Sequence, residues 1–139
     1  MKRWMIAAAS IAIGLLPARA AIFAAAGGQN VPTYAGDAEF KVYCSSCHGN
    51  EAKGDGPIAK SLKKRPADLT QLALHNAGVF PADRVVKIVD GRTPVEGHGK
   101  SDMPAWGEAF AQSVDSKTPE AVTARIAAVV EYLKSIQAK

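Results

Sequence analysis

Cys44 and Cys47, the only two cysteines of the chain, stand three positions apart, and His48 follows the second directly. Two thiols at that spacing can add to the two vinyl groups of a porphyrin while the next residue brings an imidazole under the iron. C-x-x-C-H is accordingly the attachment signature of c-type haem. A close cysteine pair also serves thiol–disulfide exchange, but that chemistry belongs with a βαβ pattern. Zinc binding needs a second ligand pair, which two cysteines and three scattered histidines do not make. The residues point to one covalent haem c, with its iron, as the cofactor.

The second axial ligand of such a haem decides between electron transfer and chemistry on a bound molecule. Met103 is the candidate. It lies 55 residues after His48 in the segment Asp102, Met103, Pro104, Ala105, Trp106, off any helical stripe. A thioether is a soft ligand suited to iron(II), and His/Met ligation raises the reduction potential relative to more basic ligands. Pro104 disfavours helix at residue 103 and keeps the backbone extended, so a sulfur can reach across to the iron. The bland role for Met103 is a gap-filling core side chain. His98, five residues before Met103, is the first substitute ligand, while His75 reads as a solvated surface residue. Asp55 and Asp102 read as loop residues with nothing to pair them for acid–base work.

These residues must be positioned by helices. A short helix from about Gly36 to Tyr43 feeds the cysteine motif, and Gly49 to Pro57 is a glycine-rich loop. Ile58 to Lys64 reads as a short helix stopped by Pro66, and Asp68 to Gly78 as one or two further helical turns. Pro81 to Asp90 is a helix with a Val85, Ile88, Val89 stripe, Pro81 in its first turn and Gly91 at its C-terminal cap. A short turn spans Ala105 to Ala111. Thr118 and Pro119 open the strongest helix, whose stripe runs Val122, Ile126, Val129, Leu133, Ile136 and needs a partner. No segment alternates with period two, so strands are not indicated and the fold class is all-α.

Residues 1–20 read as a secretory signal: Lys2 and Arg3, an apolar run from Ile6 to Leu16, then Pro17 with Ala18 and Ala20 flanking Arg19. The run is too short for a bilayer-spanning helix, for which about 20 residues are needed. Cleavage after Ala20 leaves a 21–35 lead-in and a single domain over 36–139, exported to the bacterial periplasm. Cleavage after Ala26 and an uncleaved membrane tether are the alternatives. Removing Lys2, Arg3 and Arg19 lowers the net charge from +4 to +1, so the basic balance belongs largely to the signal and does not argue for nucleic acid. Aromatic residues make up only 6% of the chain, and a large apolar prosthetic group would supply core that the side chains lack.

With these residues in view, the chain resembles a class I c-type cytochrome, a small helical monohaem electron carrier. In that family a glycine and an aromatic precede the first cysteine by eight and four residues, the places of Gly36 and Phe40. An aliphatic and an aromatic three apart on the terminal helix cross the first helix, as Val129 and Tyr132 would. The resemblance implies a domain wrapped around its haem with N- and C-terminal helices crossing. It also implies that Pro57, after Gly56, offers its carbonyl to the other ring nitrogen of His48. Trp106 is a candidate to pack on the haem or to hydrogen-bond a propionate, with plain core packing as its bland role; Arg65 is a candidate to face a propionate, and Lys60, Lys63, Lys64 and Arg65 read as a solvated face or a docking patch. Ala67 to Val79 carries no motif that can be placed residue by residue.

Three functions compete. A single-electron carrier would cycle Fe(III)/Fe(II) between redox protein partners, as a free shuttle or as the haem subunit of a dehydrogenase. A haem enzyme or gas sensor needs an open sixth site, against which Met103 argues. A thiol oxidoreductase needs free thiols on a different fold. The residues favour the carrier, which is not itself an enzyme.

Overall fold

Five α-helices and three short 3-10 turns make up residues 31–92 and 103–139, the residues described in this computed structural model, and none of these forms a strand. The signal segment, the start of the lead-in, His98 and Asp102 lie outside the described residues. The helices are α1 (Gly36–Tyr43), α2 (Ser45–His48), α3 (Ala82–Asp90), α4 (Trp106–Ala111) and α5 (Pro119–Ser135).

α5 starts where local chemistry says it should. The Thr118 hydroxyl accepts from Ala121 N at 3.2 Å, which satisfies one of the first-turn donors, and Pro119 supplies a first residue with no donor to lose. Its stripe buries Val122, Ile126, Val129, Val130 and Leu133 against α1, α3 and α4. Phe40, Val85, Val89 and Phe110 are the other large members of this core.

The α1–α5 crossing is close because Gly36 has no side chain. A Cβ there would overlap the Ala128 carbonyl oxygen and stand 3.0 Å from Tyr132 Cβ. Four residues on, Phe40 is fully buried with its ring 5.3 Å from that of Tyr132. α3 buries Val85 and Val89, and Gly91, at φ 66°, closes it by donating to Lys87 O at 3.0 Å. Pro81 stands one residue ahead of the helix rather than in its first turn.

One expected helix is shorter than its sequence suggests, and the stretch after it forms the one or two turns expected. Of Ile58 to Lys64 only Ala59–Ser61 forms a 3-10 turn: the segment is rich in exposed lysines and buries only Ala59, and a short helix with so little buried is marginal. The stretch from Asp68 holds two 3-10 turns, Leu69–Gln71 and Leu74–Asn76. Asp68 caps the first by accepting from Thr70 N at 3.0 Å and Thr70 Oγ1 at 2.6 Å. Gln137, beyond the end of α5, then accepts from Ala73 N at 2.9 Å and donates to Leu69 O at 2.8 Å and Leu133 O at 2.7 Å.

Candidate functional site

α2 is a single helical turn, and it gathers the three chemical side chains. Cys44 ends α1, with its N–H on Phe40 O at 2.9 Å, and begins the next turn by accepting from His48 N at 2.9 Å. Cys44, Cys47 and His48 therefore stand at i, i+3 and i+4, which places them on one face. Both thiols are free and half-buried. Burial, then Cys47, then the Glu39 carboxylate push the Cys44 thiol up to about 12.

The loop after the turn folds back to satisfy its carbonyls. Gly54 N donates to His48 O at 2.8 Å, Gly56 N to Cys47 O at 3.1 Å and Ile58 N to Ser46 O at 3.2 Å. Gly56 is required here: a Cβ would press on the Ser46 and Cys47 backbone, with Cys47 O at 2.6 Å. The imidazole of His48 has a different partner from the one expected. His48 Nδ1 lies 3.4 Å from Ala67 O, whereas Pro57 is exposed between two residues whose amides are committed to the Cys47 and Ser46 carbonyls. Burial lowers the affinity of the ring for a proton, partly offset by the Ala67 carbonyl. A neutral imidazole with one nitrogen held by a carbonyl has the other in a state that could hold a metal.

Met103 is half-buried and packs against the core, as do Tyr43, Cys44, Leu69, Leu72, Phe80 and Trp106. Trp106 opens α4 and forms an aromatic cluster: its ring is 5.5 Å from Tyr43 and 5.9 Å from Phe110. Arg65 is exposed and its Nε donates to Gly54 O at 3.4 Å, bracing the loop behind His48. His75 is exposed, in the Leu74–Asn76 turn.

One residue near the site escaped the sequence reading. Arg125 on α5 is only 4% exposed and pairs with Glu39 of α1 at 2.7 Å. Its position was legible in principle, because 125 is three after Val122 and four before Val129 and so falls on the apolar stripe. A long cation at such a register is ordinarily assigned to the helix flank.

The donor set fits a covalently attached haem. Two half-buried thiols not joined in a disulfide stand at the start and end of one turn, and an imidazole with its Nδ1 held by a carbonyl follows. The family described as "Cytochrome C oxidase, cbb3-type, subunit III" matches residues 32–117, well over half of the chain and all of the site except the crossing face of α5. The chain belongs to this cytochrome c family. Searches of curated proteins and of solved structures returned no match.

As a c-type cytochrome domain it carries covalent haem c with iron and serves as an electron carrier rather than a catalytic enzyme. Cytochrome domains of this family are generally extracytoplasmic, and among the described residues no helix is long and apolar enough to cross a membrane. The helical architecture without strands among the described residues agrees with a cytochrome c-like fold.

Proposed function

We propose that this cytochrome holds its haem through thioether bonds from Cys44 and Cys47, with His48 and Met103 as the axial ligands, and transfers single electrons between redox protein partners. The observation that carries the reading is the common face of Cys44, Cys47 and His48 on one turn, with His48 Nδ1 oriented by Ala67 O. When bound, the haem supplies one-electron Fe(III)/Fe(II) chemistry. The protein's part is to hold both sides of the iron and to keep it dry. Ala67 orients the His48 ring, the amides of Gly54, Gly56 and Ile58 brace the attachment turn, and Pro104 keeps Met103 off a helix.

The protein is exported: residues 1–20 are a cleaved signal, 21–35 a lead-in and 36–139 the periplasmic electron-transfer domain. Its partners are an electron donor and an electron acceptor of a respiratory chain. The family's description names an oxidase subunit, which supports a place within an oxidoreductase complex beside the free-shuttle role.

Optical spectra of holoprotein matured with export and haem-attachment machinery test the ligand set, alongside the intact mass. The wild type should carry one covalent haem, be low-spin, and show a ferric near-infrared band due to the sulfur ligand. Met103→Ala should lose that band and bind cyanide or carbon monoxide readily at neutral pH. A band that is missing in the wild type, or survives the substitution, removes Met103 from the iron.

A further inference from the structure

We propose that Arg125 is a positioning residue for the sixth iron ligand, tying the segment that carries Cys44 to the segment that carries Met103; the proposal rests on the Met103 ligation argued above.

The guanidinium reaches three parts of the chain from its place on α5. Its Nε donates to Glu39 Oε2 on α1 at 2.7 Å. Its Nη2 donates to the Tyr43 hydroxyl, one residue before Cys44, at 2.9 Å. Its Nη1 faces Ser113 Oγ at 3.2 Å and Ser116 Oγ at 3.3 Å, in the segment after α4. The same cation lies 4.3 Å from the centroid of the Phe110 ring and 4.9 Å from that of Tyr43. Ser116, itself fully buried, returns a hydrogen bond to Phe110 O at 2.6 Å.

Tyr43 is thereby held against α4, edge-on to Phe110 at 5.2 Å and to Trp106 at 5.5 Å. Trp106 follows Met103 by three residues, with Pro104 between them limiting the backbone. The path from Arg125 to Met103 is short: one hydroxyl, one edge-to-face ring contact and three residues of chain. The path from Arg125 to Cys44 is shorter still, a hydroxyl and one peptide bond.

The choice of arginine supports a role beyond filling space. A well-packed apolar side chain at such a position usually stabilises as well as a buried ion pair does. Only a planar fork with several donors can satisfy a carboxylate, a phenol and two hydroxyls together, and lysine cannot. With Glu39 neutralising it, the net effect of the node is geometric: it fixes where the Tyr43 and Trp106 rings stand, and with them the start of α4 behind Met103. A weak sulfur ligand competes with added ligands on terms set by how firmly its segment is held, since pre-organisation removes the entropy cost of rebinding.

Imidazole titration of the ferric holoprotein, read by loss of the sulfur band, tests this on Tyr43→Phe and Arg125→Met. Tyr43→Phe keeps the ring and the Arg125–Glu39 pair and removes only the hydroxyl link. Imidazole affinity should rise at least threefold in Tyr43→Phe and at least tenfold in Arg125→Met. A purely structural Arg125 would lower the melting temperature and leave imidazole affinity unchanged. A rise below threefold in Tyr43→Phe overturns the proposal, and that variant decides the matter if Arg125→Met does not fold. A wild type without the sulfur band overturns the Met103 ligation and this proposal with it; a wild type with the band and unchanged variants overturns this proposal alone.

Discussion

Gly36→Ala should destabilise the holoprotein although it replaces glycine within a helix by the best helix former. The gain is bounded: glycine costs about 1 kcal/mol relative to alanine inside a helix, and Gly36 is the first residue of α1, where less is recovered. The loss is larger. An added Cβ would overlap the Ala128 carbonyl oxygen, with the Ala128 carbonyl carbon 2.7 Å and Tyr132 Cβ 3.0 Å away. Backbone of a buried helix cannot rotate aside, so α1 and α5 must part. Overpacking of this kind costs about 1–3 kcal/mol. Parting also draws Phe40 off Tyr132, a ring pair worth about 0.5–1.5 kcal/mol beyond its buried area. The net loss is about 2 kcal/mol, or roughly 8–16 °C in melting temperature for a domain near 100 residues. Far-UV circular dichroism and haem absorbance should be followed in one melt. Gly78→Ala is the control: at φ 82° with nothing within 4 Å of its Cβ, it carries only backbone strain of about 1–2 kcal/mol. If Gly36→Ala melts at or above the wild type, the close-crossing argument is wrong.

Two other regions make distinct predictions. Gln137→Ala removes the acceptor for Ala73 N and the donor to Leu69 O, and should cost about 1–3 kcal/mol in urea unfolding with faster amide exchange at Ala73; unchanged exchange there would show that the C-terminus does not hold the 69–76 turns. Asp68, whose pKa is held below its ordinary 3.8 chiefly by the Thr70 hydroxyl, contributes stability that is present above 3.8 and lost as pH falls through the lowered folded value. The urea midpoint of Asp68→Asn should therefore lie below that of the wild type at pH 7 and approach it as the pH is taken below 3.8, and a gap that stays constant would remove Asp68 from that role.

The haem chemistry was legible in the sequence because it is local. Two thiols and an imidazole within five residues share one helical face whatever surrounds them, so their types and spacing carry the reading from Cys44 to His48. The same holds for the start of α5, where Thr118 and Pro119 act on their own first turn, and for Gly36 and Phe40, whose four-residue separation puts them on one side of α1. Helix propensity failed where little buried surface supported it, as between Ile58 and Lys64, where only Ala59 is buried.

Hydrogen bonds that span the chain were settled only by tertiary packing. His48 takes Ala67 O from 19 residues away, while the expected Pro57 stays exposed. Arg125 meets Glu39 and Tyr43 at separations of 86 and 82 residues, and Gln137 meets Ala73 and Leu69 at 64 and 68. Sequence determines which groups can donate, accept or attach, since that is a property of each side chain. Which of several equivalent carbonyls or carboxylates a buried donor meets depends on how the helices and the turns between them pack, and those distances exist only once they have packed.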